Sequence, residues 1–238
     1  MIEIKNITKK YGDFVAVDNM NITIEDGKII GFIGANGAGK STTIKMITGI
    51  IKPTNGDVLL NGKSISQNPI EAKKQFGYIP DSPDMFLRLT GLQYLNFICD
   101  VYDVPTEGRA ENIMKLCEEF KIKNSLNDRI INYSHGMRQK INVIAVLLYN
   151  PLIWILDEPM VGLDPEAAFQ LKEKMKEHVK KGNTVFFSTH VIEVAEALCD
   201  KIILLKHGKV LFYGTVEELK SRKSDGSMEA ILIELMGD

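Results

Sequence analysis

The sequence has little cysteine and almost no net charge, and both shortages exclude classes of protein. Its three cysteines, Cys99, Cys117 and Cys199, are scattered without a CxxC pair, which argues against a disulfide framework or a zinc ribbon and favours a reducing cytoplasm. The 29 basic and 31 acidic residues leave a formal charge of −2, so we expect no nucleic-acid partner. The chain has 238 residues, 45% of them hydrophobic, which is enough for an ordinary globular core.

Long apolar segments are also lacking. The most apolar stretch, residues 141–156, is broken by Asn150 and Pro151 and followed by two acids, whereas a membrane span needs about 20 mainly apolar residues. The N-terminal residues alternate polar and apolar side chains, without the apolar centre of a signal peptide. These features predict a cytoplasmic protein without a span, so any role at a membrane must come through a partner.

The apolar pattern predicts an α/β fold. Period-two alternation over residues 2–24 indicates half-exposed strands, and the unbroken apolar run 29–33 indicates a strand buried on both faces. Helical spacing follows in the middle of the chain, and then strands alternate with a charged helix over residues 166–181. We therefore predict one domain over residues 1–238: a mainly parallel core (1–76 and 150–216) with an antiparallel β part, a helical insertion (77–149) and a short tail (217–238).

A glycine-rich segment directly follows the buried strand and precedes a helix. It satisfies the pattern G-x-x-x-x-G-K-[ST], in which backbone N–H groups surround phosphate oxygens at a helix N-terminus. Lys40 is predicted to reach the β- and γ-phosphates, and Ser41 to offer its hydroxyl to Mg²⁺. The alternative is a turn that merely links strand to helix. The predicted phosphate-binding residues are Gly34, Ala35, Asn36, Gly37, Ala38, Gly39, Lys40, Ser41 and Thr42.

Two acids end a second apolar strand. Asp157 and Glu158 directly follow the run 152–156, where Asp157 can hold a Mg²⁺ ion and Glu158 can polarise a water that attacks the γ-phosphorus. Alone, such a pair is more often a solvated strand end. In one chain with the glycine-rich segment, it favours a nucleotide triphosphatase.

A third motif begins at Ser134, which has the sequence position of a helix N-cap. A capped helix is the ordinary interpretation of this segment. Its place shortly before the strand that ends in Asp157 and Glu158, however, favours a functional motif.

With these motifs the sequence resembles the ATP-binding subunit of ABC (ATP-binding cassette) transporters over essentially its whole length. Residues 34–42 resemble the Walker A motif, 152–158 the Walker B motif with its glutamate, and 133–139 the signature motif. Residues 162–165 resemble the D-loop. The resemblance implies an ATP-hydrolysing P-loop fold of ABC type.

The resemblance also implies roles for single residues. Tyr11 would stack on adenine, and His190 would contact the γ-phosphate and steady the attacking water. The signature residues Ser134, His135, Gly136 and Gln139 would contact the ATP of a partner subunit, and Asp164 would lie at the dimer interface. The remaining histidines His178 and His207 are expected at the surface.

The chain departs from the family pattern at two positions. His135 stands where the commonest signature has glycine, and this Tyr-Ser-x-Gly-Met version resembles the exporter-type (ABC-2) branch. Asp81 stands where the family has the Q-loop glutamine. Its carboxylate is still able to bind Mg²⁺, directly or through water.

The function that the resemblance implies is ATP-driven export. ATP and Mg²⁺ would be the cofactors, and the chain would pair head to tail with a second nucleotide-binding subunit, either identical or related, beneath an integral membrane permease at the inner face of the membrane. ABC proteins of DNA repair need a long coiled coil, and ribosomal ones need two cassettes in one chain; the sequence has neither. A signalling or regulatory subunit of a membrane complex remains an open alternative.

An apolar loop lies between Asp81 and the predicted capping box at Thr90. It contains Met85, Phe86, Leu87 and Leu89 near two prolines. One interpretation is that these side chains fold back on the helical insertion. The other, which the resemblance favours, is a dock for a permease helix with Phe86 at its centre.

Overall fold

The computed structural model describes residues 1–84 and 86–221, and it contains ten strands and eight α-helices in those ranges. The strands are β1 (Ile2–Tyr11), β2 (Phe14–Ile24), β3 (Ile29–Ile33), β4 (Asn55–Leu60), β5 (Lys63–Ser64), β6 (Phe76–Ile79), β7 (Ile153–Leu156), β8 (Thr184–Thr189), β9 (Lys201–Lys206) and β10 (Lys209–Gly214). The α-helices are α1 (Lys40–Ile47), α2 (Pro69–Lys73), α3 (Gly91–Val101), α4 (Arg109–Glu119), α5 (His135–Tyr149), α6 (Pro165–Lys180), α7 (Ile192–Leu198) and α8 (Val216–Lys220). Short 3₁₀ turns occupy Lys123–Ser125 and Ile130–Asn132.

Two sheets form the framework. The larger has the order β10-β9-β3-β8-β7-β6 and is parallel except for the β9–β10 hairpin; the smaller, β2-β1-β4-β5, is antiparallel. All five residues of β3 are buried, because helices or the second sheet cover both faces of a parallel sheet. The mixed α/β architecture confirms the predicted fold class.

Apolar packing divides into layers on the two faces of the larger sheet. One face packs against the smaller sheet and α1 through residues such as Ile7, Phe32 and Ile44. The other packs against α3–α6, where Leu95, Ile144 and Leu171 belong to one buried cluster. The predicted capping box is present at the start of α3: Gln93 N–H donates to Thr90 Oγ1, and Thr90 N–H donates to Gln93 Oε1.

One of the five parallel strands of the larger sheet, β6, was not predicted. β6 pairs with β7 from Phe76 to Ile79, so the predicted boundary between core and helical insertion at residues 76 and 77 cuts through a strand. The run is only four residues long and contains Gly77, a length at which periodicity carries little signal. Most of the predicted tail, residues 222–238, lies outside the described ranges. No helix in residues 1–84 and 86–221 has the length and hydropathy to cross a bilayer.

Candidate functional site

The functional residues of the larger sheet meet because parallel strands share one carboxyl edge. Gly34 follows β3, Asp157 and Glu158 follow β7, and His190 follows β8. Asp81 comes two residues after β6. Ligands of open α/β sheets bind at this edge, outside the ends of the strands. Topology thus assembles residues that lie more than 150 positions apart in the sequence.

The glycine-rich loop has two positions that only glycine suits. Gly39, at φ +107°, caps α1, and a Cβ there would lie 2.6 Å from the carbonyl oxygen of Ala16. A Cβ on Gly34 would lie 2.6 Å from the carbonyl oxygen of Leu205. The loop therefore packs directly on the backbone beneath it, which leaves its N–H groups at the helix start available for an anion.

Lys40 is buried at the centre of this loop. Its Nζ donates to the carbonyl oxygen of Gly34 at 2.7 Å and lies 3.8 Å from Oε1 of Glu158. The ammonium group is thus held between the phosphate loop and the second acid. A phosphate group entering the loop would meet a positioned cation.

A hydrogen-bonded chain holds the two acids at the end of β7. Glu158 N–H donates to Ser188 Oγ at 2.9 Å, and that hydroxyl donates to Asp157 Oδ1 at 2.6 Å. Glu158 has φ +48°, and its Oε2 lies 3.0 Å from His190 Nδ1. The carboxylate of Glu158 is thereby fixed between Lys40 and His190, within reach of a ligand in the cleft.

Asp157 lies in an environment suited to a cation. It is 1% exposed, and burial raises the pKa of its carboxyl, while hydrogen bonds from Ser188 and Ser41 lower it and the charges of Asp81 and Glu158 raise it again. The carboxylate of Asp157 beside the hydroxyl of Ser41 offers the hard oxygen donors that Mg²⁺ prefers. The residues present therefore fit the predicted metal.

Most of the predicted site residues line one cleft of about 450 Å³, within the size range of small-molecule sites. Gly34, Ala38 and Asp157 are not part of its lining. Tyr11 lies at its edge with half of its surface exposed. Ala35, Asn36, Gly37, Gly39, Lys40, Ser41, Thr42, Asp81, Glu158 and His190 complete the predicted residues that line it. The structure also places Phe14, Ala16 and Val161 in the lining, which the sequence analysis missed because no motif includes them.

The signature segment lies outside this cleft. Ser134 caps α5, accepting a hydrogen bond from the N–H of Met137 at 3.2 Å. The His135 ring packs against Gly162 of the D-loop, where a Cβ would lie 2.4 Å from its Cδ2. Lys140 pairs with Asp164 at 2.5 Å, while Asp164 also caps α6 through the N–H of Ala167. The start of α5 and the D-loop therefore form one surface within the chain.

Two predictions about side-chain position are wrong. Gln139 is fully buried in α5, so its side chain presents no atom to a partner. His178 is 2% exposed and stacks on Trp154 with ring centroids 4.1 Å apart. Burial lowers the pKa of His178 to about 4. His207 is exposed, as predicted.

Comparison with known proteins places this geometry in a family. The model of the ABC transporter family matches residues 17–161. The chain is 35% identical to the "ABC-type transporter ATP-binding protein EcsA" of Bacillus subtilis, over 99% of this chain and 96% of that protein. It is 30% identical to the "Nod factor export ATP-binding protein I" of Cupriavidus metallidurans, over 100% of this chain and 77% of that protein.

Solved structures agree. An ATP-binding subunit of an ABC transporter superposes with a TM-score of 0.93 at 31% identity, covering 99% of both chains. The ATP-binding cassette MJ0796, a dimer in a post-hydrolysis state bound to ADP and Pi, superposes at 0.81 with 26% identity over 90% of this chain and 98% of that one. The chain belongs to the ABC transporter family. It is an ATP-binding subunit with ATPase activity, of a kind that forms dimers and acts with membrane components.

Proposed function

We propose that this subunit energises export, and that two copies close around ATP so that each site is shared. The observation that carries the proposal is the separation of the two half-sites. Lys40, Glu158 and His190 line one cleft, whereas Ser134 and the start of α5 lie on another surface. One chain therefore lacks the signature contact in its own cleft, and a second chain supplies it.

The cleft residues have complementary roles in hydrolysis. Lys40 and the loop N–H groups bind the β- and γ-phosphates. Glu158 accepts a proton from a water while the new oxygen–phosphorus bond forms and the bond to the β-phosphate oxygen breaks. His190, 3.0 Å from Glu158, orients that carboxylate and contacts the γ-phosphate.

Ser41, Asp157 and Asp81 are the residues that would hold Mg²⁺. When bound, the ion supplies positive charge that screens the phosphate oxygens. Asp81 is exposed in the cleft lining, so its carboxylate is free to turn toward the ion or a water bound to it.

Two observations support export rather than another transport role. The segment 133–137 has the Tyr-Ser-x-Gly-Met form that resembles the ABC-2 branch, and one relative is named for Nod factor export. The permease would then hold the subunit at the inner face of the membrane. A signalling role has no comparable support in the relatives.

The permease dock is proposed on α3 and the loop before it. The Phe86 ring lies 5.3 Å from that of Phe97 and 5.4 Å from that of Tyr94, while Leu87 and Leu89 pack into the core. The loop thus folds back in part, as the first interpretation expected. Phe86, Leu92, Phe97 and Val101 nevertheless remain exposed and form an apolar patch suited to a helix of a membrane partner; Met85 lies outside the described residues.

The shared-site proposal is tested with Glu158→Gln. The amide cannot accept the proton of water but keeps the size of the side chain, so ATP hydrolysis should fall by about 10²–10⁴-fold and an ATP-bound dimer should accumulate. Size-exclusion chromatography with and without ATP measures the dimer. A variant that stays monomeric at saturating ATP contradicts the shared site, and unchanged turnover contradicts Glu158 as the base.

The dock is tested separately with Phe86→Asp and Phe97→Asp. Both should fold and bind ATP but lose co-purification with the membrane partner, because a charge in an apolar interface is costly to desolvate. Phe169→Asp, at an exposed phenylalanine of α6, is the matched control and should co-purify. Normal co-purification of both patch variants places the dock elsewhere.

A further inference from the structure

Two aromatic side chains end the first hairpin at the edge of the ATP cleft. Tyr11 ends β1 and Phe14 begins β2, and the two are direct partners across the antiparallel pair. Residues that face each other in this way project from the same side of the ribbon. The turn between them contains Gly12 at φ +58°, a conformation that glycine adopts without strain. The hairpin thus presents both rings to one side.

Both rings are unusually exposed for their size. Tyr11 is 51% exposed and Phe14 64% exposed, and both line the cleft that contains the phosphate loop. Phe14 also lines a neighbouring hollow of about 280 Å³ with Asn36 and His207. The Phe14 side chain therefore borders two cavities beside the phosphate loop, with room for a flat ligand against it.

The two rings differ in what covers them. Lys9 Nζ lies 5.1 Å from the centroid of the Tyr11 ring, so a cation already occupies one face. Within residues 1–84 and 86–221, no aromatic ring or cation packs on Phe14. Phe14 thus offers the larger uncovered aromatic surface of the pair.

A solitary exposed phenylalanine would need no explanation. Phe169 is such a case: it is 59% exposed on α6 and lines neither of the two cavities that Phe14 borders. Phe14 differs because it is the cross-strand partner of a second aromatic residue and borders the same cleft as Lys40 and Ser41. Exposure and position together distinguish it from ordinary surface.

We propose that Phe14 is a second base-stacking residue, which forms with Tyr11 an aromatic shelf for the purine of the bound nucleotide. This inference rests on the ATP cleft assigned above. Stacking on an aromatic side chain contributes about 1–3 kcal/mol per base in proteins that bind single-stranded nucleic acids. The phosphate loop holds the triphosphate, and Phe14 strengthens binding only of ligands that carry a base.

The experiment compares ATP with inorganic tripolyphosphate, which carries the phosphates without a base. Isothermal titration of the full chain with each ligand is repeated for Phe14→Ala, Phe14→Trp and the control Phe169→Ala. Phe14→Ala should weaken ATP binding by about 5- to 100-fold and leave tripolyphosphate binding unchanged. Phe14→Trp should retain ATP binding, and Phe169→Ala should match the parent with both ligands.

Two results would overturn the proposal: ATP binding by Phe14→Ala that equals the parent's, or an equal loss for both ligands. Phe14→Leu, which keeps an apolar side chain without a ring, covers the case in which the alanine variant does not fold; it too must lose ATP affinity selectively. Lys40→Ala tests the phosphate loop independently of Phe14. If that variant binds both ligands as the parent does, the phosphate loop assignment fails, whatever the result at Phe14.

Discussion

The cleft and the helical layer use polar residues in opposite ways. In the cleft, at the carboxyl edge of the larger sheet, charged groups contact each other: Lys40 lies 3.8 Å from Glu158, which contacts His190. In the helical layer α3–α6, the polar side chains of Gln139 and His178 are instead buried. Within the described chain, the side-chain amide of Gln139 and Nε2 of His178 have no hydrogen-bond partner.

Because of this difference, substitutions in the cleft should mainly affect ligand binding, and substitutions of buried polar residues in the helical layer should mainly affect stability. The charged groups of the cleft are held in place to bind an anionic ligand. A substitution there should lower ligand affinity more than it lowers the free energy of unfolding. A buried polar group without a hydrogen-bond partner in the helical layer lowers the free energy of unfolding, because its burial removes it from water. Ser134 is the exception, since it belongs to the helical layer but lies at its exposed end.

The largest expected effect is in the cleft. Lys40→Ala removes the ammonium group that the phosphate loop surrounds, so nucleotide affinity should fall by about 100-fold, the equivalent of about 3 kcal/mol for a charged hydrogen bond. Titration with ATP measures it, and thermal unfolding should change little. Lys45→Ala, at an exposed position of the same helix, is the control. An equal loss of ATP affinity in Lys45→Ala would mean that any substitution in α1, and not specifically the loss of the Lys40 ammonium group, weakens binding.

Ser134→Arg tests the exposed end of the helical layer. The larger, charged side chain should spare ATP binding in the variant's own cleft but block closure, so hydrolysis should fall at least about 10-fold. Mixed with Lys40→Ala protein, it should recover part of the activity, because each mixed dimer contains one intact site. The two variants assayed alone are the controls. A loss of ATP binding by Ser134→Arg itself would argue against separate half-sites.

The third prediction concerns His178, deep in the helical layer. Its pKa is lowered to about 4 from 6.5, so between pH 6.5 and 4 the unfolded chain binds a proton that the folded chain does not. The free energy of unfolding should therefore decrease as the pH is lowered from 6.5 to 4, by up to about 3 kcal/mol. Denaturant unfolding of the parent and His178→Gln measures the difference, and the variant should show the flatter dependence. His207→Asn, at an exposed histidine, is the control and should retain the parental dependence of the free energy of unfolding on pH. A flatter dependence in this variant would mean that His178 is not the cause.

The smallest effect is expected at Gln139. Gln139→Met keeps the length of the side chain and removes a buried amide without partners, so the free energy of unfolding should rise by about 1–2 kcal/mol. Chemical denaturation checks this value, and ATP hydrolysis should be unchanged. A loss of hydrolysis with normal stability would instead restore the signature role that the sequence predicts for Gln139.

Much of the cleft was predictable because its residues follow short local rules. The phosphate loop needs closely spaced glycines before a helix, and Asp157 and Glu158 need an apolar strand before them. Each of these two patterns occupies fewer than ten consecutive residues, 34–42 and 152–158. Phe14 had no such signal: it belongs to no motif, and only the hairpin pairing with Tyr11 places it beside the loop.

The errors share another physical cause. Gln139 and His178 are polar residues in helices, and polarity suggests exposure when only composition is known. Their burial depends on which face of α5 and α6 packs on the sheet. Strand β6 was missed because its four residues acquire their strand partners from β7, more than 70 positions away.

The sequence by itself determined the motifs, the alternation of strands with helices and hence the α/β class, because loop conformation and strand burial depend on neighbouring residues. Only the tertiary structure decided which residues share a cleft. The shared carboxyl edge of β3, β6, β7 and β8 brings Lys40, Asp81, Glu158 and His190 together, while packing of α5 keeps Ser134 outside. That separation depends on contacts between distant parts of the chain, which no local pattern contains.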